Sequence, residues 1–541
     1  MKKLLTQLLF TLLFLFICNS ANALEIDKKF IRDNLEKSNY SIDSEASAVV
    51  LYENRTMRGL EEHGHQHYGF TQKETIHKVI RVLKNDALSL ANVHIQFYYD
   101  DIYNYVSILK AVTYTLENGT VVESSLDKKD VYNKNIIKDV YGVHFSLPSV
   151  KPGSIIEYTY EIVTNHIYRA YSWYIQSEYP KLLTEFETSY SDRFEFTAIS
   201  NIAESEKKYP TTLDAELGTE DYCHGKDVTY STGNHNTAFW LRRNVPALRM
   251  EPFMRNINIY KEKVELQMTG YFIDDKHERF ANSWSKQNDE IWNKQKLDKA
   301  INGSNKFLHE IVDSISQLEP SILGKTKAIY NYVRSNIKCI KSNDKRFPSE
   351  FALKSVFEKK EGKIYDINLL LTAMLVHAGV DASPMLISTT AEIPQNEIFP
   401  VMDRIDYLVA AVMIDTANVY LDATNKNNPF GVLSTHCYNG FSWILGEKGQ
   451  GILLIPEAIR EKTKIAARVY DMNDTSASIE IIERFGPIRS AGYRRTWASN
   501  DKSKEKYIDD IEHSFSSNIT LLNSEVLNEN NPDTNLIIKI E

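Results

Sequence analysis

Between residues 92 and 162 the side chains alternate apolar and polar with a period of two, interrupted by glycine turns, and this commits the region to β-sheet. Val93, Ile95, Phe97 and Tyr99 alternate with Asn92, His94, Gln96 and Tyr98, the period of a half-buried strand. Val112-Thr113-Tyr114-Thr115-Leu116 runs into Glu117-Asn118-Gly119-Thr120 and then Val121-Val122. Asn-Gly between apolar runs is a strong hairpin signal, because both central residues of the tightest turn need φ > 0. Pro152-Gly153 is a second turn. Behind it Ile156, Tyr158, Tyr160 and Ile162 alternate with Glu157, Thr159 and Glu161. Short strands with regular turn signals predict a sandwich.

The pattern changes after Asn244-Val245-Pro246-Ala247-Leu248 and Glu251-Pro252-Phe253, an extended connector in which proline disfavours helix. A polar stretch with Trp284 and Trp292 follows, and helices are expected within it. Ala328, Ile329, Tyr332, Val333 and Ile337 then recur at helical spacing across 325–340. A second helix is expected over Asp366–Ala378, with Leu370, Leu371, Met374, Leu375 and Ala378 buried and Gly379 as its C-cap. Strands are expected at 384–390 and 407–414, with Asp415-Thr416 turning the chain back into 419–422. Helices followed by antiparallel strands make an α+β domain.

β-character returns near 465, in 468–470 and 478–482, and the chain ends on a strand-like 536–541. An apolar strand with no partner after it reads as the end of an incomplete or unusually short β domain. The expected fold class is therefore multidomain. An all-β sandwich spans 24–250, a central α+β domain 251–460, and a short β-rich segment 461–541.

The length of 541 residues suits several domains, and 25% charged with 43% hydrophobic residues is globular. Lys2 and Lys3, the apolar run Leu4–Cys18 and Ala21-Asn22-Ala23 form a secretory signal, predicting an exported chain that starts at Leu24. Ile17 is bulky where a lipid-modified cysteine needs a small neighbour, so Cys18 is not read as an anchor. The apolar run 367–380 is too short to span a bilayer and reads as a core helix. Losing Met1–Ala23 removes Lys2 and Lys3, which takes the net charge from −9 to −11. An acidic chain is not expected to bind nucleic acid or anionic lipid through bulk charge. The expanse after the signal holds Cys223, Cys339 and Cys437, an odd count that cannot form a full disulfide framework. Residues alone do not select a pair.

Two ordered sets of residues resemble known families. Ala111–Gly119, Leu126-Asp127-Lys128-Lys129 and Lys151–Tyr158 resemble the module of unknown function commonly fused upstream of bacterial transglutaminase-like domains. Gly362-Lys363-Ile364-Tyr365-Asp366, followed by an apolar helix and Ala378-Gly379-Val380, resembles the Gly-x-Cys-x-Asp segment of the transglutaminase-like (papain-like) superfamily. Residues 367–371, 422–424, 429–431 and 437–440 resemble a subgroup of that superfamily that lacks the catalytic cysteine. The resemblance implies a fold built for a Cys-His-Asp triad. A thiolate at a helix N-terminus attacks, a histidine activates it, and a carboxylate orients the histidine.

The triad positions implied by the resemblance are Ile364, Tyr407 and Asp422. Ile364 offers no lone pair. Tyr407, with a reference pKa near 10, is a poor general base at neutral pH. Only the orienting position survives, and Asp422 is expected to close a turn or accept a hydrogen bond from Tyr407. Cys339 is expected at the end of the preceding helix and Cys437 beyond the last matched strand, so neither replaces the missing thiol. Ile364, Tyr365, Asp366, Tyr407 and Asp422 would line a vestigial groove.

Other candidates are weaker. His63, His65 and His67 share one face if extended and offer three imidazoles to zinc or copper. Gly64 and Glu61-Glu62 favour a solvated loop there instead. His436-Cys437 could form a base–nucleophile pair only if folded back, and His377 reads as a partly buried core histidine. No cofactor is implied. The leading expectation is an exported, non-catalytic binding or scaffolding module of the bacterial envelope, with an unidentified envelope protein, peptide or glycan as partner. The alternatives are an enzyme using Asp366 and Asp422 as an acid/base pair, or glycan or protein binding through the N-terminal sandwich.

Overall fold

The computed structural model describes residues 26–63, 68–98, 104–137, 140–165, 171–200, 207–213, 229–230, 235–273, 276–279, 283–340, 347–348, 350–499, 503–514 and 519–541. The signal segment, Cys223, His65 and His67 lie outside them. The chain forms two compact units, 1–278 and 279–541.

The first unit begins with helix α1 (Lys28–Leu35) and continues as sheet. Its strands are β1 (Ala48–His63), β2 (Tyr68–Val82), β3 (Asn92–Tyr98), β4 (Tyr105–Glu117), β5 (Thr120–Ser125), β6 (Tyr132–Ile137), β7 (Val140–Ser146) and β8 (Ile155–Thr164). There follow β9 (Tyr171–Tyr174), β10 (Lys181–Ser191), β11 (Phe194–Ser200), β12 (Lys207–Leu213), β13 (Thr229–Tyr230), β14 (His235–Val245), β15 (Lys263–Ile273) and β16 (Lys276–Arg279). The main sheet runs β12-β14-β10-β1-β2-β8-β4-β5, with β13 beside β1. All its pairs are antiparallel except β1–β10. Asn118 and Gly119 turn the β4–β5 hairpin with φ of 51° and 77°.

Two smaller sheets pack on one face of this sheet. Val93, Ile95 and Phe97 of β3 and Val143 and Phe145 of β7 bury against Val50, Ile80, Ile156 and Tyr158. Trp173 of β9 and Tyr190 with Phe196 of β11 carry the second contact, Trp173 to Phe186 at 5.3 Å and Tyr190 to Phe196 at 4.1 Å. On the opposite face α1 buries Ile31 and Leu35 among Val49, Leu51, Val79, Val112 and Ile155. With both faces covered, Glu157 is as buried as its apolar neighbours Ile156 and Tyr158, so the alternation marks the two faces without leaving either to solvent. β15 pairs with β11 and β9, so the β unit resumes beyond the proline connector.

The second unit opens with short helices α2 (Trp284–Asp289), α3 (Leu297–Asn302) and α4 (His309–Leu318), then α5 (Ile322–Asn336). β17 (Lys338–Cys339), α6 (Leu353–Lys359) and β18 (Glu361–Gly362) lead into α7 (Ile364–His377). The strands β19 (Ala382–Ile387), β20 (Tyr407–Ile414), β21 (Ala417–Leu421), β22 (Gly440–Ile444) and β23 (Gln450–Leu454) form an antiparallel sheet ordered β21-β20-β19-β22-β23. Helix α7 is apolar all round, and residues 367–375 are buried, as expected of a helix enclosed in a core. It packs on the face carrying Leu386, Leu408, Ala410 and Val412. Met385, Ile387, Tyr407, Val409 and Cys437 form a second apolar cluster on the other face. This is the α+β region expected from the sequence.

The C-terminal part is less purely β than its sequence suggests. Strands β24 (Lys464–Tyr470) and β25 (Ser478–Arg484) are followed by helices α8 (Pro487–Ser499) and α9 (Ser503–Ser514), then β26 (Ser524–Leu527) and β27 (Ile537–Ile540). The final strand is not left open: β27 lies between β25 and β26. Its partners precede it in sequence, and Leu536, Ile538 and Ile540 bury against Phe485 and Trp497.

Candidate functional site

Helix α7 begins where its sequence provides a cap. The Asp366 carboxylate accepts the Lys363 backbone N–H at 2.8 Å, and an acid in the first turn suits the helix dipole. Gly362 allows the approach, since a Cβ there would lie 2.9 Å from Asp366 Cβ. Gly379, at φ 75°, follows the helix in the left-handed conformation. Ile364 is thereby held in the first helical turn, packed against the cluster that contains Tyr407 and Cys437.

Tyr407 opens β20 opposite Ile387, and Asp422 follows β21. The Tyr407 hydroxyl donates to Asp422 Oδ2 at 3.0 Å. Asn428 Nδ2 donates to the same oxygen at 2.9 Å. Asp422 Oδ1 accepts from Asn368 Nδ2 at 3.1 Å, the Thr424 N–H at 3.1 Å and the Thr424 hydroxyl at 2.8 Å. Asp422 is 2% exposed and takes neutral donors in these contacts. Tyr330 holds the backbone beneath, its hydroxyl 3.0 Å from the carbonyls of both Asp422 and Asn428.

Asn368, Thr424, Asn428 and Tyr330 were not named as site residues from sequence, although Asn368 and Thr424 lie in the matched stretches 367–371 and 422–424. Asn368 carried the clearest signal, a polar side chain inside an apolar helix. Its amide bridges α7 to the Leu408 carbonyl at 2.7 Å, and its carbonyl oxygen accepts the Ala423 N–H at 2.9 Å. The C-terminal segment reaches the same loop. Arg495 donates to Asn428 Oδ1 at 3.0 Å and Ser434 Oγ at 3.1 Å. Asp533 pairs with Arg334 and accepts the Phe430 N–H at 2.8 Å.

Tyr407 and Cys437 are closed, protonated groups. Burial, then the Asp422 charge, then Cys437, push the Tyr407 hydroxyl well above its ordinary value. Burial is also the main cause that raises the Cys437 thiol, reinforced by Asp422 and Asp406 and only partly offset by Arg495. Cys437 sits in a 3-10 turn with His436, whose ring lies edge-on to Tyr407 at 5.1 Å. A fully buried thiol held protonated is a poor nucleophile.

Cys339 is placed differently from the sequence expectation. Helix α5 stops at Asn336, and the cysteine lies in β17 beside Gly362. Its thiol is half-buried and pushed up to about 11 by burial, Asp422 and Asp366 in that order. Among the described residues Cys339 and Cys437 are free cysteines.

The groove expected from Ile364, Tyr365, Asp366, Tyr407 and Asp422 is largely filled. Tyr365 is buried, with its hydroxyl on the Ile405 carbonyl at 3.0 Å and Phe347 edge-on at 5.4 Å. Tyr407 and Asp422 are buried, and Ile364 is half-buried. Asp366 and Asp422 do not share donors, the first serving the helix cap and the second the buried cluster. His377 stacks on His309 at 4.5 Å, with Asp313 3.9 Å away. His63 closes β1, while His65 and His67 lie outside the described residues.

A family model described as a domain of unknown function with a solved structure, DUF3857, matches residues 70–213. No curated relative is found. Among solved structures, one titled a "putative protease" from Parabacteroides distasonis ATCC 8503 is similar over 92% of this chain and 93% of that chain. The identity is 12% and the TM-score 0.50, so the likeness shows the fold alone. An M1 zinc metallopeptidase from Deinococcus radiodurans matches at 8% identity over 43% of this chain and 45% of that one. Yeast LTA4 hydrolase matches at 8% over 47% and 36%. Both have a TM-score of 0.19 and carry no argument.

Proposed function

We propose that the protein is an exported, transglutaminase-like module of the bacterial envelope that binds without catalysis. One observation carries this reading: the position of the expected nucleophile is Ile364, and the position of the expected base is Tyr407, a hydroxyl donating to Asp422. A carboxylate already accepting five neutral donors has an architectural task. The fold neighbour's title raises proteolysis, but an isoleucine cannot form an acyl intermediate, and both neighbouring thiols are held protonated. Incubation of the full chain with an electrophilic acyl-transfer probe, read by peptide mass spectrometry, tests this. No adduct is expected at 339, 364, 407 or 437. A stoichiometric adduct at any of them overturns the reading.

A second reading, binding through the N-terminal unit, is supported by a specific observation. The vestigial groove is filled, whereas a cavity of about 680 Å³ opens between α1 and the β4–β5 hairpin. Ile31, Val112, Val121 and Leu126 give it apolar walls, and Lys110, Tyr114 and Glu123 give it polar contacts. A concave lining that mixes apolar walls with several polar and charged side chains suits a ligand bearing both kinds of surface. Lys110→Glu with Val121→Arg should abolish capture of an envelope ligand, and Tyr407→Phe should leave it unchanged. The opposite result returns the binding to the α7 site.

A further inference from the structure

The three-stranded sheet β3-β7-β6 carries a row of ring side chains that the function above does not use. His94 and His144 are direct cross-strand partners, and Tyr132 is the partner of His144 on the other side. Opposed residues of antiparallel strands share a face with their Cβ atoms about 4.5–5.5 Å apart. The two imidazole centroids are 4.6 Å apart, and the Nδ1 atoms face one another in contact. Tyr132 stacks on His144 at 5.3 Å with 12° between the planes.

The ring of His144 is held by its surroundings. A Cβ on Gly142 would lie 2.6 Å from His144 Nε2, so glycine leaves the space the ring fills. That Nε2 is buried with no hydrogen-bond partner among the described residues. Nδ1 is therefore the nitrogen His144 presents outward. It meets the Nδ1 of His94, an exposed residue free to adjust its rotamer. Two nitrogens in contact hold a single shared proton, and a rotamer shift of the exposed His94 opens the gap of about 3 Å that one metal ion bonded to both needs; neutral imidazole suits Cu²⁺ and Zn²⁺.

We propose that His94 and His144 chelate one divalent transition metal, Cu²⁺ or Zn²⁺, through their facing Nδ1 atoms, with solvent completing the shell. Among the described residues no third His, Cys, Asp or Glu joins them, so the site is open and exchangeable rather than structural. Lys134, opposite Gly142 on β6, is the charge that opposes a bound cation.

The test is titration of the tag-free full chain with CuCl₂ and separately ZnCl₂, followed by calorimetry and, for copper, by quenching of tyrosine emission. His94→Gln and His144→Gln should each remove one equivalent while leaving the circular dichroism unchanged. Gly142→Ala should weaken binding at least tenfold by displacing the ring, and Lys134→Gln should tighten it about threefold. A His63→Gln/His65→Gln/His67→Gln variant should retain the equivalent. Binding that survives both single histidine variants, vanishes only in the triple variant, or is absent from the starting protein overturns the proposal.

Discussion

Two buried carboxylates, one in each unit, are satisfied by opposite means. Glu53 in β1 sits between two lysines, Lys181 and Lys78, the latter at 2.8 Å. Asp422 in the α+β unit takes two amides, two hydroxyls and a backbone N–H. Burial pushes Glu53 up, yet Lys181 and Lys78 outweigh it and hold the carboxyl far below its usual range. An ion cluster of this kind is demanding, because removing one member leaves the others charged and dry. A carboxylate held by dipoles instead ties a helix and two strands together. That role is independent of catalysis, so Asp422 has a task in the fold without a thiol or an imidazole beside it.

The largest effect should come from breaking the ion cluster. Glu53→Ala leaves Lys181 buried without its counter-ion and should cost about 3–5 kcal/mol in urea unfolding. Asp422→Asn replaces one accepting oxygen with an NH2 donor facing groups that already donate, and should cost about 2–3 kcal/mol by the same measurement. If Asp422→Asn proves the more damaging, the ranking of ionic over dipolar satisfaction is wrong. Tyr407→Phe removes one hydrogen bond to a charged group and should cost about 1.5–2 kcal/mol.

The contrast also has a pH signature. A carboxyl whose folded pKa is depressed contributes stability that is present above its unfolded value of 4.5 and lost as pH falls toward the folded one. Glu157, lowered by His77, Lys110 and Tyr114 against its burial, acts in the same direction. The urea midpoint should therefore fall as pH drops below about 4.5, less steeply in Glu53→Gln. An identical slope in the two proteins would remove Glu53 from the account. The smallest change in stability belongs to Ile364→Cys/Tyr407→His, at about 1–2 kcal/mol. Its expected gain is thiol labelling at 364 that the starting protein lacks. Absence of labelling in a folded double variant would argue that the α7 N-terminus is not a former nucleophile seat.

Local physics made some elements legible. Asn118-Gly119 predicted its hairpin because few residues tolerate positive φ twice in succession. β20 begins and ends at the residues expected, 407 and 414, since a run of buried aliphatics between turn residues leaves little choice. The helix containing Ile367–Leu375 was expected from 366, and starts two residues earlier because Asp366 caps from within its first turn. Helices α8 and α9 were missed. Their apolar positions are few, and their packing partners Leu536, Ile538 and Ile540 come afterwards in the chain.

The sequence by itself determined the β-rich first region, the α+β second region and the residue types at the expected triad, because periodicity, turn chemistry and side-chain functionality are local properties. It also offered a hydrogen bond from Tyr407 as one of two roles for Asp422, and the structure has that bond. Only the tertiary structure decided that Asn368, Thr424 and Asn428 complete the shell of Asp422, that Cys339 lies beside Gly362, and that His94 meets His144. The physical reason is common to all three. Tertiary packing, which brings Asn368 to Asp422, Cys339 to Gly362 and His94 to His144 across tens of positions and folds the 422–428 loop back on its own carboxylate, is recorded in no local pattern.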